Sequence, residues 1–171
     1  MKSSTSIRDA IKKWEAASGK KPEEETGKVP LNGIQPPIER MDEHLNVFEN
    51  CTQLSLSSNQ IDRMAALPKL RNLKILSLGR NAIKRIICLE EVGQTLEQLW
   101  ISYNQIEKLD GLQPCTKLKV LWISNNKISQ WPEVSKLANL NELNDVLLVG
   151  NPIYNDKDKD TNAAWVVKRV P

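Results

Sequence analysis

Leucine and isoleucine recur along this chain at fixed intervals, in the pattern L-x-x-L-x-L-x-x-N-x-I/L. Five copies are present, and in each the asparagine is followed two residues later by isoleucine. The asparagines lie 22, 23, 22 and 25 residues apart. Repetition at this period predicts an α/β leucine-rich repeat solenoid in which each copy forms one turn. The repeated asparagines are Asn59, Asn81, Asn104, Asn126 and Asn151.

Each copy divides into two halves with different periods. The L-x-L core alternates in the way a short strand does, so we expect parallel strands whose leucines point into the core and whose intervening residues face the concave side. The following residues are apolar at about every third position, as in residues 64–70 and 131–137, which predicts short helices on the convex face. We interpret the asparagines as a structural ladder, because a side-chain amide at the end of each strand can serve buried backbone groups of the turn.

The region before the repeats predicts a helical N-terminal cap. Ser6 and Asp9 have the spacing of a capping box, the apolar residues that follow fall on one helical stripe, and Gly19 is a plausible stop. Residues 19–37 are rich in proline, glycine and charge, so we expect residues 1–37 to form a helix and a linker.

The repeat domain is expected to cover residues 38–153. Residues 38–48 match the back half of a later copy, which indicates a degenerate first turn at the open end of the stack. Residues 154–171 are then a C-terminal cap, in which the apolar residues of 164–170 predict a helix.

Charge, cysteine spacing and histidine content argue against several classes of function. The chain has 24 basic and 21 acidic residues, a net charge of +3, which is too low for a nucleic-acid binder driven by overall charge. No apolar run is long enough to span a membrane. The three cysteines lack metal spacing, and Cys51 and Cys115 occupy apolar repeat positions where we expect them to be buried. The single histidine, His44, has no nucleophile beside it, and no cofactor-binding motif is present, so we expect no metal, no cofactor and no enzymatic activity.

The concave face carries the candidate binding site. Trp100 and Trp122 fall between inward positions of consecutive copies, so they should be neighbours on adjacent strands. Two interpretations stay open: an exposed apolar patch that binds a partner protein, or tryptophans covered by the chain's own termini. The predicted partner-binding residues are Trp100, Trp122, Ile75, Ser77, Gln98, Val120, Leu147, Arg80 and Tyr103.

Polar and charged residues at the border of this face, and basic residues near the chain ends, admit two interpretations each. Arg80 and Tyr103 precede ladder asparagines and form either a solvated rim or a polar border that orients a partner. The basic residues near the ends could meet an acidic polymer such as the tubulin surface, and ordinary solvation is the alternative. These residues are Lys12, Lys13, Lys20, Lys21, Lys168 and Arg169.

Several segments resemble the axonemal outer-arm dynein light chain 1 family. The variable positions of ILSLGRN (residues 75–81) and EQLWISYNQI (residues 97–106) make the resemblance specific, since repeat leucines alone occur in many proteins. The similarity runs in register over nearly the whole chain. Further matching segments are residues 6–15, residues 36–41 (PPIERM), residues 120–128 (VLWISNNKI) and residues 150–156 (GNPIYND).

The resemblance implies a non-catalytic light chain of a ciliary motor, located in the cytoplasm and in the axonemal cytoskeleton of cilia or flagella. Such a protein would bind the dynein heavy chain at the microtubule-binding tip of its stalk and modulate motor activity, with tubulin as a second candidate partner. Family members continue past the VKRVP segment (residues 167–171), so the C-terminal cap is expected to be incomplete. A generic repeat scaffold, similar to a phosphatase regulatory subunit, is the alternative function.

Overall fold

The computed structural model describes residues 4–154. The strands form one open parallel sheet in which each strand pairs with the next along the chain. The three-residue strands are β1 (Lys28–Pro30), β2 (Gln53–Ser55), β3 (Ile75–Ser77), β4 (Gln98–Trp100), β5 (Val120–Trp122) and β6 (Asp145–Leu147).

The register of this sheet is the same from end to end. Leu54, Leu76, Leu99 and Leu121 are direct partners on successive strands, with Val29 and Val146 completing the row. The four leucines are fully buried. Because side chains alternate along a strand, the flanking residues of every strand must face the concave side. The predicted leucine-rich repeat solenoid is confirmed.

Strand β1 lies in a segment that the sequence led us to expect as a linker. Its Val29 is buried, and the Leu31 N–H that follows it donates to the Ser55 carbonyl at 2.8 Å. A strand of the same sheet therefore precedes the degenerate first turn predicted at residues 38–48, and residues 19–37 are not merely a linker. The division of the chain into three regions remains a prediction.

Helix α1 (Ile7–Ser18) is present as predicted. Ser6 Oγ accepts a hydrogen bond from the Asp9 N–H at 3.1 Å, and Gly19 ends the helix in the left-handed conformation. Its buried stripe includes Trp14, whose ring meets Phe48 edge-on with centroids 5.0 Å apart. The helix therefore packs its apolar face on the first turn of the solenoid.

The convex side contains fewer helices than the apolar spacing predicts. Helix α2 (Trp131–Ser135) and a 3₁₀ helix (Lys136–Asn139) form in the fourth copy, but residues 62–72, 84–95 and 107–117 contain turns and irregular backbone. Their apolar residues are nevertheless buried. A period of three is shared by 3₁₀ and polyproline-like backbone, so the spacing predicts burial better than it predicts helix.

No helix among residues 4–154 combines the length and the apolar character that crossing a membrane requires. The C-terminal cap helix predicted within residues 164–170, like almost all of the expected C-terminal cap, lies outside the described residues.

Candidate functional site

The outward residues of the six strands form rows across the concave face. The central row runs through Ser55, Ser77, Trp100, Trp122 and Leu147, each the direct partner of the next. A second row lies beside it and consists of Gln53, Ile75, Gln98, Val120 and Asp145. The face is therefore a regular array, and its chemistry is set by which residue each repeat contributes.

Two stacked indoles dominate the second half of this array. The rings of Trp100 and Trp122 have centroids 5.1 Å apart and planes 16° from parallel. Trp122 is 37% exposed, Leu147 41% and Val149 54%, so the stack continues into an exposed aliphatic surface. We call Trp100, Trp122, Leu147 and Val149 the apolar shelf. The rings lie outside the leucine core, and an apolar surface of this kind is typical of a protein-binding site.

The indole nitrogens of the stack differ in their hydrogen bonding. Trp122 Nε1 donates to Asp145 Oδ2 at 3.2 Å, which fixes one edge of that ring. Trp100 Nε1 is buried and has no hydrogen-bond partner among the described residues. Asp145 is not among the residues that the sequence singled out for the site. The signal that could have found it is its position in the row beside the tryptophans, one strand away from Trp122.

The central row of the first half of the face carries short, polar side chains. Ser55 and Ser77 are buried, and Ser77 Oγ lies 2.6 Å from Ser57 Oγ. A second serine pair lies in the half that carries the tryptophans, where Ser124 Oγ donates to Ser102 Oγ at 3.0 Å. Ser77, which the sequence assigned to the binding surface, therefore lies in the floor of the face with its hydroxyl already paired. Short side chains packed between strands leave little surface for a partner.

Arg80 and Tyr103 lie at the border of the face on neighbouring turns. Both are exposed, and the Arg80 guanidinium carbon lies 4.5 Å from the centre of the Tyr103 ring. A guanidinium over an aromatic face is a favourable cation–π contact. The two side chains thus form one unit on the rim.

The backbone of this rim has one conformation in every turn. The residue before each ladder asparagine has a positive φ, and for Arg80 and Tyr103 the values are 56° and 57°. This left-handed conformation costs an ordinary residue about 1–2 kcal/mol, and glycine and asparagine tolerate it best. The remaining turns carry Gly33, Ser58, Asn125 and Gly150 at the equivalent position.

The asparagines form a continuous hydrogen-bonded ladder beneath the rim. Asn104 Nδ2 donates to the carbonyls of Leu78 and Ile101, both at 3.0 Å, and Asn104 Oδ1 accepts from the Ile83 N–H at 3.0 Å. Each of these two carbonyls also accepts from the asparagine of a neighbouring turn. The amides of Asn59, Asn81, Asn126 and Asn151 are engaged in the same way. Since the amide groups are used up by backbone partners, the ladder holds the turns together.

Ion pairs run along the edge where the strands begin. Glu97 lies between Lys119 at 3.1 Å and Lys74 at 3.6 Å. The hydrogen bond from Lys119 lowers the pKa of Glu97 most, and the charges of both lysines lower it further. The groups are substantially exposed, so we expect less than about 1 kcal/mol from each pair.

The two buried cysteines, Cys51 and Cys115, are expected to be unreactive. Cys51 and Cys115 are fully buried, as the repeat pattern predicted. Burial raises the pKa of both thiols to about 12, and the negative charges of Glu25 and Glu90 act in the same direction. A thiol that stays protonated is a poor nucleophile and a poor metal ligand.

His44 joins the N-terminal helix to the first turn. Arg8 Nη2 lies 2.8 Å from His44 Nε2, and His44 Nδ1 lies 2.9 Å from Asp42 Oδ1. Because a guanidinium only donates, Nε2 must accept and Nδ1–H must point at Asp42. Asp42, Glu43 and His44 bring ligand atoms within 4.8 Å of one another, but both ring nitrogens are engaged and one faces a cation. The group is better explained as a connection between α1 and the solenoid than as a metal site.

The basic residues near the N-terminus are partly engaged within the fold. Lys20 pairs with Glu25 at 3.0 Å, and Lys13 Nζ donates to the Gln35 carbonyl at 3.0 Å. Lys12 and Lys21 are exposed and make no ion pair with any residue of the described part of the chain. Lys168 and Arg169 lie outside the described residues.

A short-stranded parallel sheet, an asparagine ladder and a uniform turn geometry define a leucine-rich repeat protein. The family model described as Leucine Rich repeats (2 copies) matches residues 94–136. Solved structures agree: internalin C2 from Listeria monocytogenes is 33% identical, with a TM-score of 0.56 over 66% of this chain and 51% of that one. The chain in the TLR13–ssRNA13 complex is 26% identical, with a TM-score of 0.58 over 67% of this chain and 17% of its own.

Sequence relatives specify the family further. Dynein axonemal light chain 1 of Chlamydomonas reinhardtii is 53% identical over all of this chain and 88% of its own length. The proteins of that name from Danio rerio and Homo sapiens are 55% and 51% identical, again over all of this chain and over 89% and 90% of theirs. The chain belongs to the axonemal dynein light chain 1 family. Membership gives it a dynein light chain role and a location in the axoneme of cilia or flagella, and it indicates a non-enzymatic protein.

Proposed function

We propose that this chain is a non-catalytic light chain that binds a heavy chain of axonemal outer-arm dynein through its concave sheet. The binding site on the heavy chain is the stalk head near the microtubule, and occupation of that site modulates motor activity. The observation that carries the proposal is the apolar shelf: stacked indoles and exposed aliphatic side chains on the open face of a protein whose family members are named as dynein light chains.

Burial of the apolar shelf can contribute to the free energy of binding but is not sufficient for it without polar contacts. A tryptophan side chain has about 150–250 Å² of surface, so the exposed part of Trp122 is on the order of 50–90 Å². At about 25 cal/mol per Å², covering it contributes about 1–2 kcal/mol. Association costs an estimated 4–15 kcal/mol, so neighbouring shelf residues and polar contacts at the border must contribute as well.

Alanine at both Trp100 and Trp122 should weaken heavy-chain binding by roughly 10- to 100-fold, as is usual for aromatic anchors. The measurement is quantitative capture of outer-arm dynein from axonemal extract, followed by identification of the captured chains. The fold should survive, because the rings lie outside the leucine core, and circular dichroism checks this.

Val47→Ala is the matched control. Val47 is also an exposed hydrophobic residue at 42%, but it lies in the 3₁₀ helix Glu43–Val47 and not on the concave sheet. This variant should capture as much heavy chain as the unmodified chain. Equal capture by the folded double tryptophan variant would remove the shelf from the proposal, and capture of a phosphatase in place of dynein would favour the scaffold function.

Tubulin is proposed as a second partner, supported by the exposed and unpaired state of Lys12 and Lys21 within the described part of the chain. Microtubule co-sedimentation of the isolated chain should fall steeply as salt is added, because exposed charge contacts are screened. Changing both lysines to glutamine should flatten this dependence. Salt-independent sedimentation, or no difference between the two proteins, would count against a basic contact with tubulin.

A further inference from the structure

The unit formed by Arg80 and Tyr103 occupies a backbone position that neither residue type favours. Elsewhere along the rim the same left-handed position holds glycine, asparagine or, at Ser58, serine, and glycine and asparagine tolerate it best. Arg80 and Tyr103 place bulky side chains at this position on two consecutive turns, and the second of these turns contains Trp100, the first tryptophan of the stack. Unfavourable backbone conformations that are retained in a fold are often associated with function.

The guanidinium of this unit is available for a further contact. Arg80 is exposed, and no carboxylate among the described residues lies within ion-pair distance of it. The acidic residue of the described concave rows is Asp145, and it already accepts from the Trp122 indole. Among the described residues, the rim beside the apolar shelf therefore presents at Arg80 a positive charge without a carboxylate partner.

The cation–π contact with Tyr103 also restricts the positions that the Arg80 side chain can take. With its guanidinium carbon 4.5 Å from the centre of the Tyr103 ring, the Arg80 head group is held against that ring. A planar fork of donors matches the two oxygens of a carboxylate better than any neutral group. Fixing the fork in advance reduces the entropy lost when the contact forms.

We propose that Arg80, held in place by Tyr103, binds an aspartate or glutamate side chain of the heavy-chain segment that docks on the apolar shelf. This inference rests on the proposed function and adds to it the chemistry of the partner: an apolar surface with an acidic residue at its border. The ion pair orients the docked segment, and the shelf anchors it.

Binding of the purified outer-arm heavy chain by variants across a salt series tests the proposal. Arg80→Gln should weaken binding roughly 10- to 100-fold, the range expected when one partner of a charged hydrogen bond is lost, and should flatten the salt dependence. Arg80→Lys should recover only part of the loss, because an ammonium carries the charge without the fork. Arg63→Gln is the control, since Arg63 is an exposed arginine beyond the ladder and off the concave sheet.

Tyr103→Asn separates a role in binding from a role in folding. Asparagine suits the left-handed backbone, so the thermal midpoint should stay level or rise while heavy-chain binding falls. A lowered midpoint with unchanged binding would make the pair structural only and would overturn the proposal.

The outcomes for Arg80 and for the shelf are distinguishable. If Arg80→Gln binds as the unmodified chain does while the double tryptophan variant does not bind, the carboxylate contact is overturned and the proposed function stands. Tighter binding by Arg80→Gln would show that a cation faces this site and would also overturn it. Failure of the unmodified chain to bind the heavy chain overturns both. Rescue of Arg80→Glu by lysine at one acidic position of the heavy chain would identify the partner residue.

Discussion

Replacing Asn104 with alanine should lower the free energy of unfolding by about 2–4 kcal/mol, measured by urea denaturation. The substitution removes the donors to Leu78 and Ile101 and leaves the Ile83 N–H without its acceptor. The two carbonyls keep a bond each from a neighbouring asparagine, so the unpaired Ile83 N–H accounts for most of the cost. A buried amide N–H without an acceptor has lost its hydrogen bonds to water and gains none in the protein, so the full desolvation penalty destabilises the fold.

Gln105→Ala provides the matched control for this effect. Gln105 is the next residue, and its side chain makes no hydrogen bond within the described residues. Its loss should change the unfolding free energy by less than about 0.5 kcal/mol. If Asn104→Ala were as mild as this control, the ladder would be geometrically present but energetically unimportant.

Most of the repeat register could be predicted from the sequence. Alternation along a strand has a period of two, so once Leu99 and Leu121 are placed inside, Trp100 and Trp122 must lie outside. That reasoning placed the two indoles side by side, and the structure has them stacked. The same reasoning did not predict how buried each outward-facing side chain is. Ser77 lies in the predicted row but is buried, because its short side chain is covered by the longer side chains of neighbouring strands.

Strand β1 was missed because its sequence lacks the repeat pattern. Val29 and Leu31 stand in a segment rich in proline, glycine and glutamate, and Ile34 occupies the position at which later turns have the ladder asparagine. The strand forms because β2 offers a free edge, and Pro30 is tolerated because an edge strand can lack one donor. Pairing with a preformed neighbour is tertiary information that local sequence does not contain.

The rim conformation also lay beyond sequence patterns. Serine, arginine, tyrosine, asparagine and glycine precede the ladder residues, and only the last two suggest a positive φ. What imposes the conformation is the backbone ladder, in which the rim N–H of each turn donates to the next turn, as Arg80 N–H does to the Ser102 carbonyl at 2.9 Å. The sequence therefore predicted that Arg80 and Tyr103 lie at the border of the face, but it did not predict that their side chains contact each other.

Gly111→Ala should lower the free energy of unfolding by about 2–5 kcal/mol, the largest loss we expect from any single methyl group added to this chain. Gly111 has a φ of +90°, and a Cβ built on it would lie 2.1 Å from the Ile86 carbonyl oxygen. That oxygen belongs to the backbone of the preceding turn, so the clash cannot be relieved by rotating a side chain. Two neighbouring turns must separate to accommodate the methyl group, and burial along the solenoid depends on contact between neighbours.

Alanine variants at two further glycines measure separately the backbone term and the steric term of this loss in the free energy of unfolding. Gly33 has a φ of +62° with nothing within 4 Å of the added Cβ, so Gly33→Ala reports the backbone term alone, at about 1–2 kcal/mol. At Gly93, which has no positive φ, the added Cβ would lie 2.4 Å from the Pro114 carbonyl oxygen, so its alanine variant reports the steric term, at about 1–3 kcal/mol. Denaturation midpoints of the three variants should rank Gly111→Ala lowest, with a loss near the sum of the other two losses, because Gly111→Ala carries both the backbone term and the steric term. A Gly111 variant no less stable than the Gly33 variant would mean that adjacent turns separate at little cost, and that the stacking of the solenoid is looser than its backbone contacts indicate.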